Sequence, residues 1–192
     1  MEYKQGLIEV ICGPMFAGKT EELIRRAIRL DYAKKKYIVF KPLMDNRYAN
    51  DEIVSHSKYR KNSINIDKSE EIYNHLTDDI EVIFIDEVQF YDDTIVSVCE
   101  DLAKKGYRII VGGLDCDFKG DPFMITALLL AKAETVVKLT AICNVCGNEA
   151  TKTQRIINGK PAHINDEIIL VGASEAYEPR CRKCHEILTD ER

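Results

Sequence analysis

A chain of 192 residues with 45% hydrophobic and 31% charged residues has the composition of a soluble globular protein, and its length suits one domain plus a small appendage. The net charge of −5 argues against a nucleic-acid-binding protein, and the longest apolar run, residues 125–131, is too short to span a bilayer. The first residues lack the regions of a signal peptide, so we expect a cytoplasmic protein. Seven cysteines in that compartment indicate metal binding or buried thiols rather than disulfides.

The first predicted elements are a strand, a glycine loop and a helix. The apolar run at residues 7–12 indicates a buried strand, and residues 21–28 space their apolar side chains as a helix does. Between them, residues 13–20 read Gly-Pro-Met-Phe-Ala-Gly-Lys-Thr and fit the phosphate-binding pattern G-x-x-x-x-G-K-[ST]. In this pattern Lys19 reaches the β- and γ-phosphates and the Thr20 hydroxyl ligates Mg²⁺. The helix N-terminus adds a favourable dipole, so we predict that this segment binds a nucleoside triphosphate with Mg²⁺.

The rest of the first 140 residues alternates between strands and helices. Apolar runs predict strands at residues 37–40, 82–85, 108–111 and 135–139, and helical periodicity is found at 68–76, 92–105 and 128–133. Residues 43–62 are polar without a sustained period and predict a long loop of the kind that covers a site. This order predicts a mostly parallel, RecA-like P-loop α/β sheet with ligands at the carboxyl ends of its strands.

The sequence changes in character from about Cys143 onward. Asn158-Gly159 between short extended runs is a two-residue hairpin signal, and four cysteines bracket the segment. We therefore place a domain boundary near residue 141. The prediction is a P-loop ATP-binding domain over residues 1–141 and a small zinc-binding domain over residues 142–192.

Two carboxylates close the apolar strand at residues 82–85. An acidic residue at this position of a phosphate-loop protein usually holds Mg²⁺, and Asp86 is the predicted metal residue. Neighbouring strand side chains point to opposite faces, so Glu87 is free to act as a general base toward an attacking hydroxyl. Gln89 and Phe90 would then supply an amide and an aromatic wall close to the reacting centre.

The cysteines fall into two pairs with the spacing of a structural zinc site. Cys143 and Cys146 form one C-x-x-C pair, and Cys181 and Cys184 form the other after 34 intervening residues. Four protein ligands leave no open position for water, so the metal would be structural. His185 competes with Cys184 as the fourth ligand, and a redox pair or buried thiols are the other interpretations. Cys12 and Cys99 lie in apolar contexts and are predicted core residues.

A zinc ribbon often binds nucleic acid, but this segment has no basic stripe. Its basic residues, such as Arg155 and Lys183, are mixed with acidic ones such as Glu149 and Glu178. Interleaved aromatic residues are missing as well. We therefore predict no nucleic-acid partner and a module that shapes a small-molecule pocket.

These motifs together resemble successive blocks of the zinc-containing thymidine kinases found in many bacteria and in animal cytosol. The matching blocks are residues 13–20, 45–48 (Asp-Asn-Arg-Tyr), 55–56 (Ser-His), 86–90 (Asp-Glu-Val-Gln-Phe), 114–118 (Leu-Asp-Cys-Asp-Phe), 122–123 (Pro-Phe), 137–141 (Val-Lys-Leu-Thr-Ala) and 177–181 (Tyr-Glu-Pro-Arg-Cys). They run in order through nearly the whole chain. The fifth loop position, Ala17, is one where relatives carry Ser, which leaves the backbone cradle unchanged.

The resemblance implies transfer of the ATP γ-phosphoryl group to the 5′-hydroxyl of thymidine, and also of deoxyuridine, giving dTMP in deoxynucleotide salvage. It implies Glu87 as the proton acceptor, a homotetramer, and dTTP as a candidate feedback inhibitor. The C-terminal zinc module would be a lasso domain that closes over the nucleoside.

The resemblance also assigns residues to each ligand. The triphosphate and Mg²⁺ would be bound by Gly13, Pro14, Met15, Phe16, Ala17, Gly18, Lys19, Thr20, Asp45, Asn46, Arg47, Asp86 and Gln89. Thymidine would be bound by Met15, Phe90, Leu114, Phe118, Phe123, Thr153 and Tyr177, and by the backbone of Ile168, Ile169, Leu170, Val171 and Gly172. For each aromatic residue taken singly, packing in the core is a rival interpretation.

Two other functions fit part of the pattern. A RecA-like ATPase would use Glu87 to activate water, and a zinc-ribbon nucleic-acid-binding protein would use ATP as a switch. Both need a partner or nucleic-acid surface that the charge pattern does not supply. The steep salt dependence of true phosphate contacts would reveal DNA binding.

Overall fold

The computed structural model describes residues 6–43, 52–54, 60–168 and 177–190; for 52–54, 60 and 61 it describes the backbone alone. In chain order the strands are β1 Leu7–Cys12, β2 Lys36–Pro42, β3 Glu52–Val54, β4 Arg60–Asn62, β5 Ile64–Ile66, β6 Ile80–Ile85, β7 Arg108–Gly113, β8 Thr135–Lys138, β9 Ala141–Ile142, β10 Glu149–Ala150, β11 Lys152–Ile157, β12 Lys160–Pro161 and β13 Tyr177–Arg180. The helices are α1 Lys19–Tyr32, α2 Ile95–Lys104 and α3 Met124–Lys132, with 3-10 helices at Ser69–His75 and Val88–Phe90.

Six of the strands form one parallel sheet in the order β5-β2-β6-β7-β1-β8. Apolar side chains fill both faces of this sheet. On one face α1 buries Leu23, Ile24 and Ala27 against the central strands. On the other face α2 and α3 bury residues such as Leu102 and Leu129. The predicted mostly parallel P-loop α/β fold is therefore confirmed.

Strand register brings the chemically active segments to one edge of the sheet. Cys12 pairs with Gly113, and Phe40 pairs with Ile85, so the segments that follow β1, β6 and β7 emerge side by side. These segments carry the phosphate loop, the acidic pair and the residues from Leu114 onward. Cys12 and Cys99 are fully buried in the core, as predicted.

Several local predictions differ from the structure. The predicted loop at residues 43–62 includes β3 and β4, which pair as a short antiparallel ribbon. The sequence did not predict strand β5, because this strand is only three residues long and its middle residue is the polar Asn65.

The predicted helices also differ in type or in length. The helix predicted at residues 68–76 is a 3-10 helix. Helix α2 starts later than predicted because the Asp92 carboxylate accepts the Thr94 N–H and forms a turn first. Helix α3 starts four residues earlier, at Met124.

The C-terminal segment consists of short antiparallel pairs. Strand β9 pairs with β10, and β11 pairs with both β12 and β13. Asn158 and Gly159, with φ of 51° and 75°, form the predicted two-residue hairpin turn between β11 and β12. The division into two domains at residue 141 stays a prediction. No helix within the described ranges is long and apolar enough to cross a membrane.

Candidate active site

The phosphate loop has the backbone geometry that its glycines allow. Gly13 has φ of 148°, and a Cβ there would overlap the Leu139 carbonyl oxygen beyond β8. Gly18 adopts a left-handed conformation with φ of 83° immediately before α1. The helix therefore starts at Lys19, and its N-terminus lies directly after the loop, at a position that favours phosphate binding.

Lys19 is buried and its ammonium group is folded back onto the loop. The Nζ atom donates to the Pro14 carbonyl at 2.8 Å and to the Gly13 carbonyl at 3.2 Å. Burial lowers the pKa of Lys19, while the nearby Glu87 and Asp86 carboxylates oppose this shift. The loop thus holds its cation in place through its own carbonyl oxygens.

Asp86 and Thr20 lie together at the end of β6. The Thr20 hydroxyl donates to the Asp86 Oδ2 atom at 3.3 Å, although 66 positions separate the two residues. Burial and the neighbouring Glu87 raise the pKa of Asp86 to about 7. A buried carboxylate beside a hydroxyl is a set of hard oxygen donors that fits Mg²⁺, and a bound cation would favour the ionised form of Asp86.

Glu87 is held in a conformation that is uncommon for this residue type. Its φ of 50° and ψ of 46° are left-handed, and its backbone N–H donates to the Asp86 Oδ1 atom at 3.0 Å. The Gln89 Nε2 atom donates to the Glu87 Oε2 atom at 2.6 Å. A residue kept in such a conformation is often part of a functional site. The amide of Gln89 fixes the direction of the carboxylate.

Gln89 also connects Glu87 to the segment after β7. Its Oε1 atom accepts the Leu114 backbone N–H at 2.9 Å. Gly113 leaves room for this amide, because a Cβ there would lie 2.8 Å from the Gln89 Oε1 atom and 2.8 Å from the Val88 Cγ1 atom. The sequence alone assigns no role to Gly113; the available signal was the glycine pair that follows the apolar strand predicted at residues 108–111.

The structure brings part of the predicted nucleoside set close to the phosphate loop. The Met15 backbone N–H donates to the Thr153 Oγ1 atom at 3.0 Å, which connects the loop to β11. The Phe118 ring is 2% exposed and lies 5.5 Å from the cationic groups of Lys119 and Arg155. The sequence did not predict that Arg155 is buried beside the Phe118 ring, because this position depends on tertiary packing.

The other predicted nucleoside residues differ in their surroundings. Phe90, Leu114, Phe123 and Tyr177 are half-buried, and Ile168 is 45% exposed. Asp45, Asn46, Arg47, Ile169, Leu170, Val171 and Gly172 lie outside the described residues.

The four predicted cysteines form one cluster. The Sγ atoms of Cys143, Cys146, Cys181 and Cys184 all lie within 4.8 Å of one another. Backbone N–H groups, that of Cys184 foremost, lower the pKa of Cys181 and so favour its thiolate. A four-sulfur set fits a structural zinc ion. The His185 Nε2 atom lies 2.8 Å from the Phe118 carbonyl oxygen, so Cys184 rather than His185 completes the cluster.

Two solved structures are similar to part of this chain. The ATPase DotB from Legionella pneumophila is 11% identical over 76% of this chain and 43% of its own, with a TM-score of 0.46. The Pif1 helicase from Candida albicans is 13% identical over 70% of this chain and 36% of its own, with a TM-score of 0.39. This chain therefore spans less than half of the length of either protein.

The family comparison covers nearly the whole chain. The family model described as thymidine kinase matches residues 6–185, a range that includes the phosphate loop, the acidic pair and all four clustered cysteines. The chain belongs to the thymidine kinase family.

Proposed function

We propose that this protein transfers the γ-phosphoryl group of ATP to the 5′-hydroxyl of thymidine, and also of deoxyuridine, giving the 5′-monophosphate and ADP for deoxynucleotide salvage. The observation that carries the proposal is the hydrogen-bonded chain from Glu87 through Gln89 to Leu114. These hydrogen bonds hold the Glu87 carboxylate in a fixed direction between the phosphate loop and the Leu114 loop of the predicted nucleoside set. Such an arrangement suits a second substrate with a hydroxyl group.

The phosphate loop would bind and orient the triphosphate. Its N–H groups at the start of α1 would contact the phosphate oxygens, and Lys19 would exchange its bonds to Pro14 and Gly13 for oxygens of the transferred group. Thr20 and Asp86 would hold Mg²⁺, which when bound neutralises charge on the phosphates. Asp45, Asn46 and Arg47 would contribute near the triphosphate, on the strength of the family resemblance.

Glu87 would act as the general base. Its carboxylate takes the proton of the 5′-hydroxyl while that oxygen bonds to the γ-phosphorus. The bond from this phosphorus to the β–γ bridging oxygen breaks, and ADP leaves. The Gln89 amide keeps the Glu87 carboxylate oriented, and the buried Lys19 ammonium group offsets the negative charge that develops on the transferred phosphoryl group.

The predicted nucleoside residues would form the second substrate site. The bond between Met15 and Thr153 supports this proposal, because it connects the phosphate loop to the C-terminal segment. We also propose that the backbone of residues 168–172 belongs to this site. The C-terminal module, residues 142–192, would form a separate lasso domain. Family membership also supports a cytoplasmic homotetramer with dTTP as a feedback inhibitor.

One assay tests the proposed reaction. Purified protein is incubated with γ-labelled ATP and Mg²⁺, with thymidine, deoxyuridine, deoxycytidine or no nucleoside, and the products are separated and identified. We expect labelled 5′-monophosphates of thymidine and deoxyuridine, and only slow phosphate release without a nucleoside. Equal phosphate release in every reaction would contradict the proposal and favour a simple ATPase.

A further inference from the structure

The residue after the last clustered cysteine points away from the cluster. His185 lies next to Cys184, yet its Nε2 atom is 2.8 Å from the Phe118 carbonyl oxygen. A carbonyl oxygen only accepts hydrogen bonds, so the imidazole Nε2–H donates. Residues 118 and 185 are 67 positions apart, and this bond connects the cysteine cluster directly to a loop of the proposed nucleoside site.

The chain on both sides of His185 is fixed. The backbone N–H groups of Cys184 and His185 donate to the Cys181 carbonyl at 3.1 Å and 3.0 Å. On the other side, the Gln154 side chain donates to the Glu186 carbonyl and accepts the Glu186 N–H, each at 2.8 Å. Gln154 is only 1% exposed, so its end of both bonds is buried. Hydrogen bonds therefore hold the main chain on both sides of His185.

Other hydrogen bonds shape the turn that carries Phe118, but they do not use the Phe118 carbonyl oxygen. The Asp117 carboxylate accepts the N–H groups of Lys119 and Asp121 and shapes the turn. Across the described ranges, no other group donates to the Phe118 carbonyl. The imidazole is the direct connection between this turn and the residues beside the cysteine cluster.

We infer that His185 is a positioning residue: it holds the Phe118 main chain in register with the cysteine cluster, so that nucleoside affinity depends on cluster integrity through this bond. The inference rests on the proposed function, because it takes the Phe118 loop as part of the nucleoside site. Gln154 secures the adjoining residue to β11, the strand whose Thr153 contacts the phosphate loop. His185 touches no reacting group in this scheme.

The test compares His185→Leu with two other variants. Leucine removes the donor, whereas His185→Gln offers an amide N–H in a similar place. His163→Leu is the matched control, because His163 belongs to the same segment and its Nε2 atom faces exposed Asp190 at 3.2 Å. Each variant is measured for zinc content, KM for thymidine and for ATP, kcat, and hydrogen exchange of a peptide that covers residues 115–122.

We expect His185→Leu to retain zinc and to raise KM for thymidine about tenfold, the upper range for the loss of one hydrogen bond. The kcat and the KM for ATP should stay within about twofold of the parent values. Exchange in residues 115–122 should rise in this variant alone, and His185→Gln should recover most of the affinity. An unchanged KM for thymidine, or loss of zinc from His185→Leu, would overturn the inference. If the parent protein failed to phosphorylate thymidine, the proposed function would fall, and faster exchange in His185→Leu would still support the connection to Phe118.

Discussion

The phosphate-loop region and the C-terminal part of the proposed nucleoside region are held together by different forces. The first stands on a six-stranded parallel sheet whose two faces are filled by apolar side chains. The second is assembled from short antiparallel pairs, single polar hydrogen bonds and a cysteine cluster with a very small apolar core around Ala141 and Ala150. Loss of one thiolate would weaken the metal on which the second region depends, whereas the sheet core depends on no metal. We therefore expect damage to the two regions to separate cleanly in kinetic experiments.

The largest expected effect comes from Glu87→Gln, which tests the residue that connects the two regions. The amide keeps the shape of the side chain but cannot take the proton, so kcat should fall by about 10² to 10⁴. Affinity for ATP and for thymidine should be nearly unchanged in binding measurements. A kcat within threefold of the parent value would show that the base lies elsewhere.

Lys19→Ala should damage the phosphate-loop region alone. It removes the cation that would face the transferred group, and kcat should fall by about 10² to 10³. The dissociation constant for thymidine, measured by calorimetry without ATP, should stay within about twofold because Lys19 makes no described contact with the C-terminal segment. Lys36→Ala, at an exposed position on β2, is the control and should behave as the parent.

Cys146→Ser should damage the nucleoside region more than the phosphate-loop region. Loss of one thiolate weakens the zinc site, and we expect KM for thymidine to rise by about 10- to 100-fold, the range typical of disturbed metal environments. The KM for ATP should change less, because the phosphate loop stands mainly on the sheet core and only Ala17 of this loop packs against the small apolar core around Ala141 and Ala150. Metal analysis accompanies the kinetics, with Cys116→Ser as the control for zinc content only, because Cys116 lies outside the cluster. Full activity in protein proven free of zinc would refute this role of the metal.

A smaller effect, on stability, is expected from Asp86 within the phosphate-loop region. The pKa of its carboxyl is about 7 in the folded chain against 3.8 as the ordinary value. Between these values the unfolded chain releases a proton that the folded chain retains. The free energy of unfolding of the ligand-free protein should therefore decrease as pH rises through this range.

Asp86→Asn removes that titration. Without Mg²⁺ and nucleotide, the variant should have a higher Tm than the parent at pH 8 and a flatter dependence of Tm on pH. Thermal unfolding followed by circular dichroism from pH 4 to pH 8 measures both. Parallel profiles for the two proteins would mean that this carboxyl does not govern the pH dependence.

Sequence reasoning succeeded where the relevant residues are close together in the chain. The phosphate loop is a single octapeptide, and each C-x-x-C pair is a local motif, so the sheet class and the cysteine cluster could both be predicted. It failed where structure depends on packing between distant segments. The short β5 strand exists because β2 supplies its partner, and the roles of Gly113 and His185 depend on the groups that face them.

The bonds between Lys19 and its own loop carbonyls have a consequence for anion selectivity. A loop with an unattached ammonium group would attract any small anion, and inorganic phosphate or sulfate would compete with substrate. Here an incoming anion must first replace two carbonyl oxygens, at 2.8 Å and 3.2 Å from the ammonium nitrogen. A single phosphate group would gain little more than contact with Lys19, whereas a triphosphate would also accept hydrogen bonds from N–H groups at the helix N-terminus. We therefore expect the loop to bind polyphosphates in preference to single phosphate or sulfate ions.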